Sequence, residues 1–444
     1  MTIHPTTIRP ALTPAEQRYL DLYASVADRL PGARQVRVRA WREAALNLFA
    51  SQGLPHRRVE EWKYTDLRAL MPEVHPLAGI LPAVAADISL EATIGQALAD
   101  LDAYRAVFVD GLFRPDLSSV QDAPGVTFEP LRAGLEEDSG PGHALAHQAE
   151  GERDVIAALA SAFATDGAIL SVPPKTRLEK PIHLIFIASE DGAPKLAATQ
   201  SAIVIGDGAE AQLIETHVAA GDSQAFSFTR LAVGRDARLS HVRANAGAKQ
   251  LSSTSVVLDE RTHYAPVQMT VDGALTRAQM RIAFKGPQAR CHYAGAMMLR
   301  GKAHADFTLV VDHAAEACES RELVKAVVDG HSRGVFQGKV IVQRGAQKTD
   351  GKQMANALLL SNDAEFDSKP ELEIFADDVA CGHGSTAGQI DEDLMFYLRA
   401  RGIPEAEARA LLIAAFVGEA LDKIENEALR SALQEKADAW LAAK

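Results

Sequence analysis

From Ile169 onward, for more than 170 residues, the chain is a succession of β-rich runs with no helical period between them. PIHLIFIAS, SAIVIGDGAEAQLIETHVA, FSFTRLAVG, ARLSHVRANAG, RIAFKG, DFTLVVDH and GVFQGKVIVQRG are among them, separated by Gly, Asp, Asn or Pro. Many strands without intervening helices point to a sandwich, a barrel or a parallel β-helix. In PIHLIFIAS, Ile182, Leu184 and Phe186 share one face, and His183, Ile185 and Ile187 share the other. Both faces carry apolar side chains, so this strand is expected to be covered on both sides. The β region is long for one sandwich, which favours a β-helix, although no sharp repeat marks its coils.

Helical patterns flank this region. Thr13-Pro14 offers an N-cap and a proline in the first turn, followed by Tyr19, Leu20, Tyr23 and Val26 at helical spacing. A second helix is predicted over 36–50, stopping near Gly53, and a third over 151–165. YRAVFVDGLF, residues 104–113, reads as strand, turn and strand. In EEWKYTDL, residues 60–67, the large side chains Trp62, Tyr64 and Leu67 stand among charges. The segment is expected to be pinned to its own domain by Trp62, with a partner-contacting surface as the other reading. After Ile390 the period turns helical: acids at Asp391 to Asp393 suit a helix N-terminus, Gly402 suits a stop, and Pro404-Glu405 restarts. The expected layout is an N-terminal α-rich domain over 1–165, a β core over 166–390 and a small helical domain over 391–444.

The formal net charge of −13 over 444 residues argues against a nucleic-acid groove, which needs clustered Lys and Arg. Cys291, Cys318 and Cys381 are an odd, sparse set, which fits a reducing compartment better than a disulfide framework. No Cys-x-x-Cys pair occurs, so a self-contained thiolate site for zinc or an iron–sulfur cluster is not expected. The first residues lack the features of a secretory leader, and the apolar run 411–417 is too short to span a bilayer, so a cytoplasmic location without membrane contact is expected.

The chain shows no catalytic constellation. Gly206-Asp207-Gly208 reads as a tight turn rather than a phosphate loop, and no nucleophile elbow or His-Glu-x-x-His helix occurs. Asp377-Asp378, read on a strand, point to opposite faces and suit a solvated edge. His304, Asp306, His313 and Cys318 read as structural residues of a β surface. Cys381 and His383 differ. Two apart on an extended backbone, they point to one side, and Gly382 and Gly384 leave room for close approach. A thiol and an imidazole are soft donors suited to iron or zinc, but two ligands are half of a tetrahedral site. The rest must come from distant residues or from another chain, unless the pair is only a packed strand end.

GAQKTD, NALLLS, KPELEIFADDVACGHG and MFYLRARGI, all within 337–403, together with EEWKYTDL near the N-terminus, closely resemble the SufB/SufD family of iron–sulfur cluster assembly proteins. The three cysteines and the intact DDVACGHG strand resemble SufD more than SufB. The resemblance implies a mainly β fold, a right-handed parallel β-helix core between an N-terminal α-rich domain and a small C-terminal helical domain. It implies no enzyme but a scaffold subunit of the SufBCD complex of the SUF system, pairing with the paralogue SufB through the β-helix. The ATPase SufC is then expected on the C-terminal helices, with Asp391, Phe396, Tyr397, Arg399, Leu412 and Phe416 as interface candidates. His383 becomes a candidate ligand of a nascent cluster at the SufB interface, and Cys381 a weaker one. No cofactor is expected in the isolated chain, and a transient iron–sulfur cluster in the assembled complex. A flavin in the complex and a homodimer of the isolated chain are left open. Readings of other classes are a carbohydrate-active β-helix enzyme and a purely structural subunit with no ligand role.

Overall fold

The computed structural model describes residues 12–80, 88–137, 154–190 and 192–443. Its centre is a parallel β-helix of about eight turns. Each turn gives one strand to each of two sheets, so a strand pairs with the strand two places later in sequence: Leu275–Phe284 with His304–His313, and Arg290–Leu299 with Glu319–Val328. The turns are unequal. Arg238 lies against His263, 25 positions on, whereas Arg333 lies against Glu365, 32 positions on. Insertions of this size blur any sequence period, which is why the coil left no repeat signature.

Two corners show how the backbone turns. At one, Lys175, Gly208, Asp236, Arg261, Gln288, Ala317 and Lys348 form a column of left-handed residues, only one of them glycine. Each N–H donates to a carbonyl of the next turn, from Lys175 to Asp207 (2.8 Å) through to Lys348 to Asp378 (2.6 Å). The left-handed conformation costs an L-residue about 1–2 kcal/mol, and the bond made there offsets it. At another corner the chain passes between sheets without leaving the strand. Glu210–Val233 and Arg238–Leu258 each run through both sheets, where the sequence had suggested separate strands. Gly247 makes this possible: at φ +97 it approaches so closely that a Cβ would lie 2.0 Å from the Ala219 carbonyl oxygen.

The space between the sheets is filled by Leu184, Phe186, Leu213, Phe284, Phe307, Phe336 and their neighbours. The outer faces are covered by helices. Pro14–Val26, capped by Thr13, and Val155–Phe163, buried throughout, lie over Phe226, Phe228, Leu251 and Leu275 of the first sheet. Glu405–Leu421 and Glu427–Ala442 cover Ile185, Ile214, Val267, Ala296 and Val327 of the second. Ile182–Ala188 is therefore buried along its whole length, with Leu184 facing the interior and Ile185 the C-terminal helices. Tyr104–Val109 hairpins with Leu112–Phe113 and adds in parallel to Ile182–Ala188.

The segment 60–67 bridges the N-terminal helices and the β-helix: Trp62 and Leu67 belong to the buried cluster of Tyr19, Tyr23 and Phe49, and Trp62 also meets the first sheet. Trp62 lies beneath the Arg277 guanidinium, 3.8 Å from its ring centroid. Arg277 also donates to the Glu61 carbonyl (3.0 Å) and pairs with Asp306, while Thr65 bonds both Asp306 and His304 (3.0 Å to the latter). Gln337 donates to Glu61 at 3.2 Å, and Lys369 pairs with Glu60 at 2.6 Å. The Glu60 carboxylate and the Glu61 carbonyl are thus committed to the outer face of the first sheet.

Candidate functional site: the open end of the β-helix

The last turn consists of Glu365–Ile374 and Val379–Gly388. Each pairs only with the strand beneath it, so among the described residues both outer edges lack a hydrogen-bonding neighbour. A bare parallel edge is a template for another chain.

Cys381 and His383 stand on the terminal strand, in register with Gly351 and Gln353. Cys381 is half-buried and packs against the interior cluster. Gly351 opposite admits its sulfur, since a Cβ there would lie 3.5 Å from Sγ. Burial raises the Cys381 thiol, so a metal would have to displace its proton. His383 is exposed. Gly382 faces open space, whereas the bare Cα of Gly384 accommodates the Met354 thioether, whose methyl would sit 2.9 Å from a Cβ there. The imidazole is the accessible donor of the two, and the thiol lies deeper.

Beneath His383 the same register position holds Gln353 and then Glu322, both facing the interior. Both carboxyl oxygens of Glu322 and both amide atoms of Gln353 are buried without hydrogen-bond partners. Burial pushes the Glu322 carboxyl up to about 8, so it is protonated at neutral pH. Sequence reasoning missed this column. The available signal was parity: Glu322 shares its face with Val324, Ala326 and Val328, all of them core residues.

The other histidines and cysteines are not brought together. His304 and Asp306 are committed to Thr65, His313 pairs with Ser320 (3.0 Å), and His292 with Glu319 (2.9 Å). Cys291 and Cys318 are buried. Among the described residues, no group of three or more His, Cys, Asp or Glu is placed to hold a metal ion. Asp377 and Asp378 lie in the bend before the terminal strand rather than on it, and Asp378 closes the corner column.

The C-terminal candidates separate into two groups. Asp391 caps Glu392–Ala400, accepting from the Asp393 and Leu394 amides at 2.8 and 3.2 Å. Phe396 and Tyr397 are 75% and 54% exposed, and Arg399 pairs with Glu405 at 3.3 Å on the same outer side. Leu412 is half-buried. Phe416 turns towards its own β-helix: the Lys325 ammonium lies 4.6 Å from its ring centroid and pairs with Glu419 at 2.6 Å.

Residues 186–416 match the family described as "SUF system FeS cluster assembly, SufBD core domain", and residues 13–184 match "SufBD protein N-terminal region". The chain belongs to the SufB/SufD family. Within it, the chain is 30% identical over 415 residues to an iron–sulfur cluster assembly SufBD family protein of Synechocystis, covering 89% of each. It is 32% identical over 387 residues to the iron–sulfur cluster assembly protein SufD of Escherichia coli, covering 85% of this chain and 87% of that one. A chloroplastic protein of Arabidopsis thaliana, ABCI7, is 30% identical over 283 residues, or 60% of this chain and 59% of that one. The chain is thus a SufD-like member of an iron–sulfur cluster assembly family. Among the described residues, no helix is long and apolar enough to cross a membrane.

Proposed function

We propose that this SufD-like chain is a non-catalytic scaffold subunit of a cytoplasmic SufBCD assembly, in which it supplies one side of a cluster-building interface. The observation that carries this reading is the open last turn, with exposed His383 on an edge strand that has no outer neighbour among the described residues. A paralogue with its own β-helix meets that edge by strand addition, the chemistry a bare parallel edge favours. Membership of a family described by a SufBD core domain of the SUF system supports SufB as the paralogue, and SufC completes the assembly as its ATPase in this reading. In this reading the iron–sulfur cluster is cargo. His383 offers it an imidazole nitrogen, Cys381 lies behind as a lesser donor, and SufB provides the remaining ligands.

SufC docks on the outward face of Glu392–Ala400, where Phe396 and Tyr397 stand exposed, with Arg399 at the rim. Phe416 and Asp391 support the helices rather than meet the partner. Co-expression with SufB and SufC, followed by iron and sulfide analysis of the purified complex, tests the proposal. Cluster formation that is equally efficient when this chain is omitted would refute it.

A further inference from the structure

Successive residues of a parallel strand turn their peptide groups alternately to the strand on either side, so the hydrogen bonds already made fix which residues face a bare edge. Glu365 donates to the Ser332 carbonyl at 3.1 Å and Phe375 to the Val342 carbonyl at 2.8 Å, both in the turn beneath. Pairing with Arg333–Val342 is unbroken between them, so the odd-numbered residues of Glu365–Ile374 bond to that turn. The even-numbered ones face the bare edge. At the middle of their row stands Pro370, which has no N–H to offer.

The other edge is complete. In Thr349–Leu359 the even positions look back, since Asp350 donates to the Cys318 carbonyl at 3.0 Å and Leu360 to that of Val328 at 2.9 Å. Its odd positions therefore face Val379–Gly388, where Ala380 lies in register with Asp350. By the same alternation Val379, Cys381, His383, Ser385 and Ala387 turn every N–H and C=O to the bare edge. Side chains repeat the contrast. Phe366 and Leu372 pack on the interior cluster, which puts Glu365, Asp367, Lys369, Glu371 and Glu373 together on the outer face, all of them charged. Arg333 and Lys339 of the turn beneath hold Asp367 and Glu373 in that row at 2.6 Å each. Between Val379 and Gly388 there is no Asp, Glu, Lys or Arg. Proline and charge are the devices that keep an edge strand from pairing.

We propose that the two edges of the last turn have opposite tasks: Val379–Gly388 receives a strand of SufB along its length, and Glu365–Ile374 is guarded by Pro370 and its charged row against pairing with a second copy of this chain. This rests on the assembly reading above. The peptide groups of Cys381 and His383 are among those the SufB strand holds, so pairing and the placement of both donors are coupled. In a titration of the full chain with SufB, Ser385→Pro should weaken binding about tenfold, since it leaves a partner carbonyl without a donor, and should not lower the melting temperature. Thr386→Pro removes an amide that bonds to the turn beneath, and should lower the melting temperature instead. Pro370→Ala restores a donor to the guarded edge. Self-association of the isolated chain, followed by sedimentation equilibrium, should then strengthen about fivefold, as one net hydrogen bond gives. Wild-type SufB binding by a folded Ser385→Pro, equal destabilisation by Ser385→Pro and Thr386→Pro, or unaltered self-association of Pro370→Ala would each overturn the proposal. A wild-type chain that did not bind SufB would refute the assembly reading, and the self-association of Pro370→Ala would still decide the guard.

Discussion

The Arg277 guanidinium lies 3.8 Å from the centroid of the Trp62 ring, and its charge is matched by Asp306 rather than by solvent. Arg277 and Asp306 side chains are 1% and 0% exposed, so this pair fastens the N-terminal segment to the β-helix from a fully desolvated position. Removing one partner of a buried pair leaves the other uncompensated, at about 3–5 kcal/mol. Asp306→Asn should lower the urea midpoint accordingly and expose 57–70 to protease. An unchanged midpoint would show that the clasp contributes nothing.

Stability should peak near pH 6.5. His183, His217 and His313 are held down to about 3, 4 and 4 by burial, against an ordinary 6.5. Below 6.5 the unfolded chain binds more protons than the folded one, so stability falls as pH falls. Glu322 acts in the opposite direction. Held up to about 8 by burial, it keeps a proton that the unfolded chain releases near 4.5, so between those values its contribution shrinks as pH rises. Three imidazoles outweigh one carboxyl below 6.5, and above it Glu322 dominates up to about 8. Glu322→Gln should remove a decline of on the order of 2 kcal/mol between pH 6.5 and 8. Urea midpoints at pH 5, 6.5 and 8 check both limbs. Parallel alkaline declines in wild type and variant would rule out Glu322 as the cause.

Gly247 and Gly301 both have positive φ, +97 and +65, but only Gly247 faces a backbone oxygen within 2.0 Å of a built Cβ, while Gly301 faces open space. Gly301→Ala should cost about 1–2 kcal/mol, the left-handed penalty alone. Gly247→Ala should cost more than about 3 kcal/mol, because overpacking against backbone adds to it. Equal losses of thermal stability in the two variants would contradict this account of the corner.

Deleting 391–444 is a poor test of ATPase docking, since it would uncover Ile185, Ile214, Val267 and Val327. Phe396→Asp is cleaner. At 75% exposure Phe396 stabilises little in the isolated chain, so its melting temperature should change by no more than about 2 °C. Capture of SufC in a pull-down should be lost. Retained capture would move the docking surface elsewhere.

Legibility in the sequence followed the range of the interactions. Ile182 to Ile187 announced burial on both faces because alternation is local, and Thr13-Pro14 announced a helix start for the same reason. Trp62 is legible as an anchor of its own domain, where it joins the buried cluster around Tyr19 and Phe49, but its stacking under Arg277 is not, because that partner lies more than 200 residues away in sequence. Phe416 shares a helical stripe with Leu411 and Leu412, and only the position of Lys325 reveals which way it turns. The residue types at Cys381 and His383 were readable, as was their incompleteness as a metal site. Their place on the outermost strand depends on counting turns of a coil whose length varies from 25 to 33 residues.

Iron and sulfide content of the complex purified with His383→Ala, relative to wild type at equal subunit stoichiometry, tests the central claim most directly. His383 is exposed on an edge strand, so the variant should fold and assemble normally while cluster content falls several-fold. Wild-type cluster content in a fully assembled His383→Ala complex would contradict the role proposed for the open end.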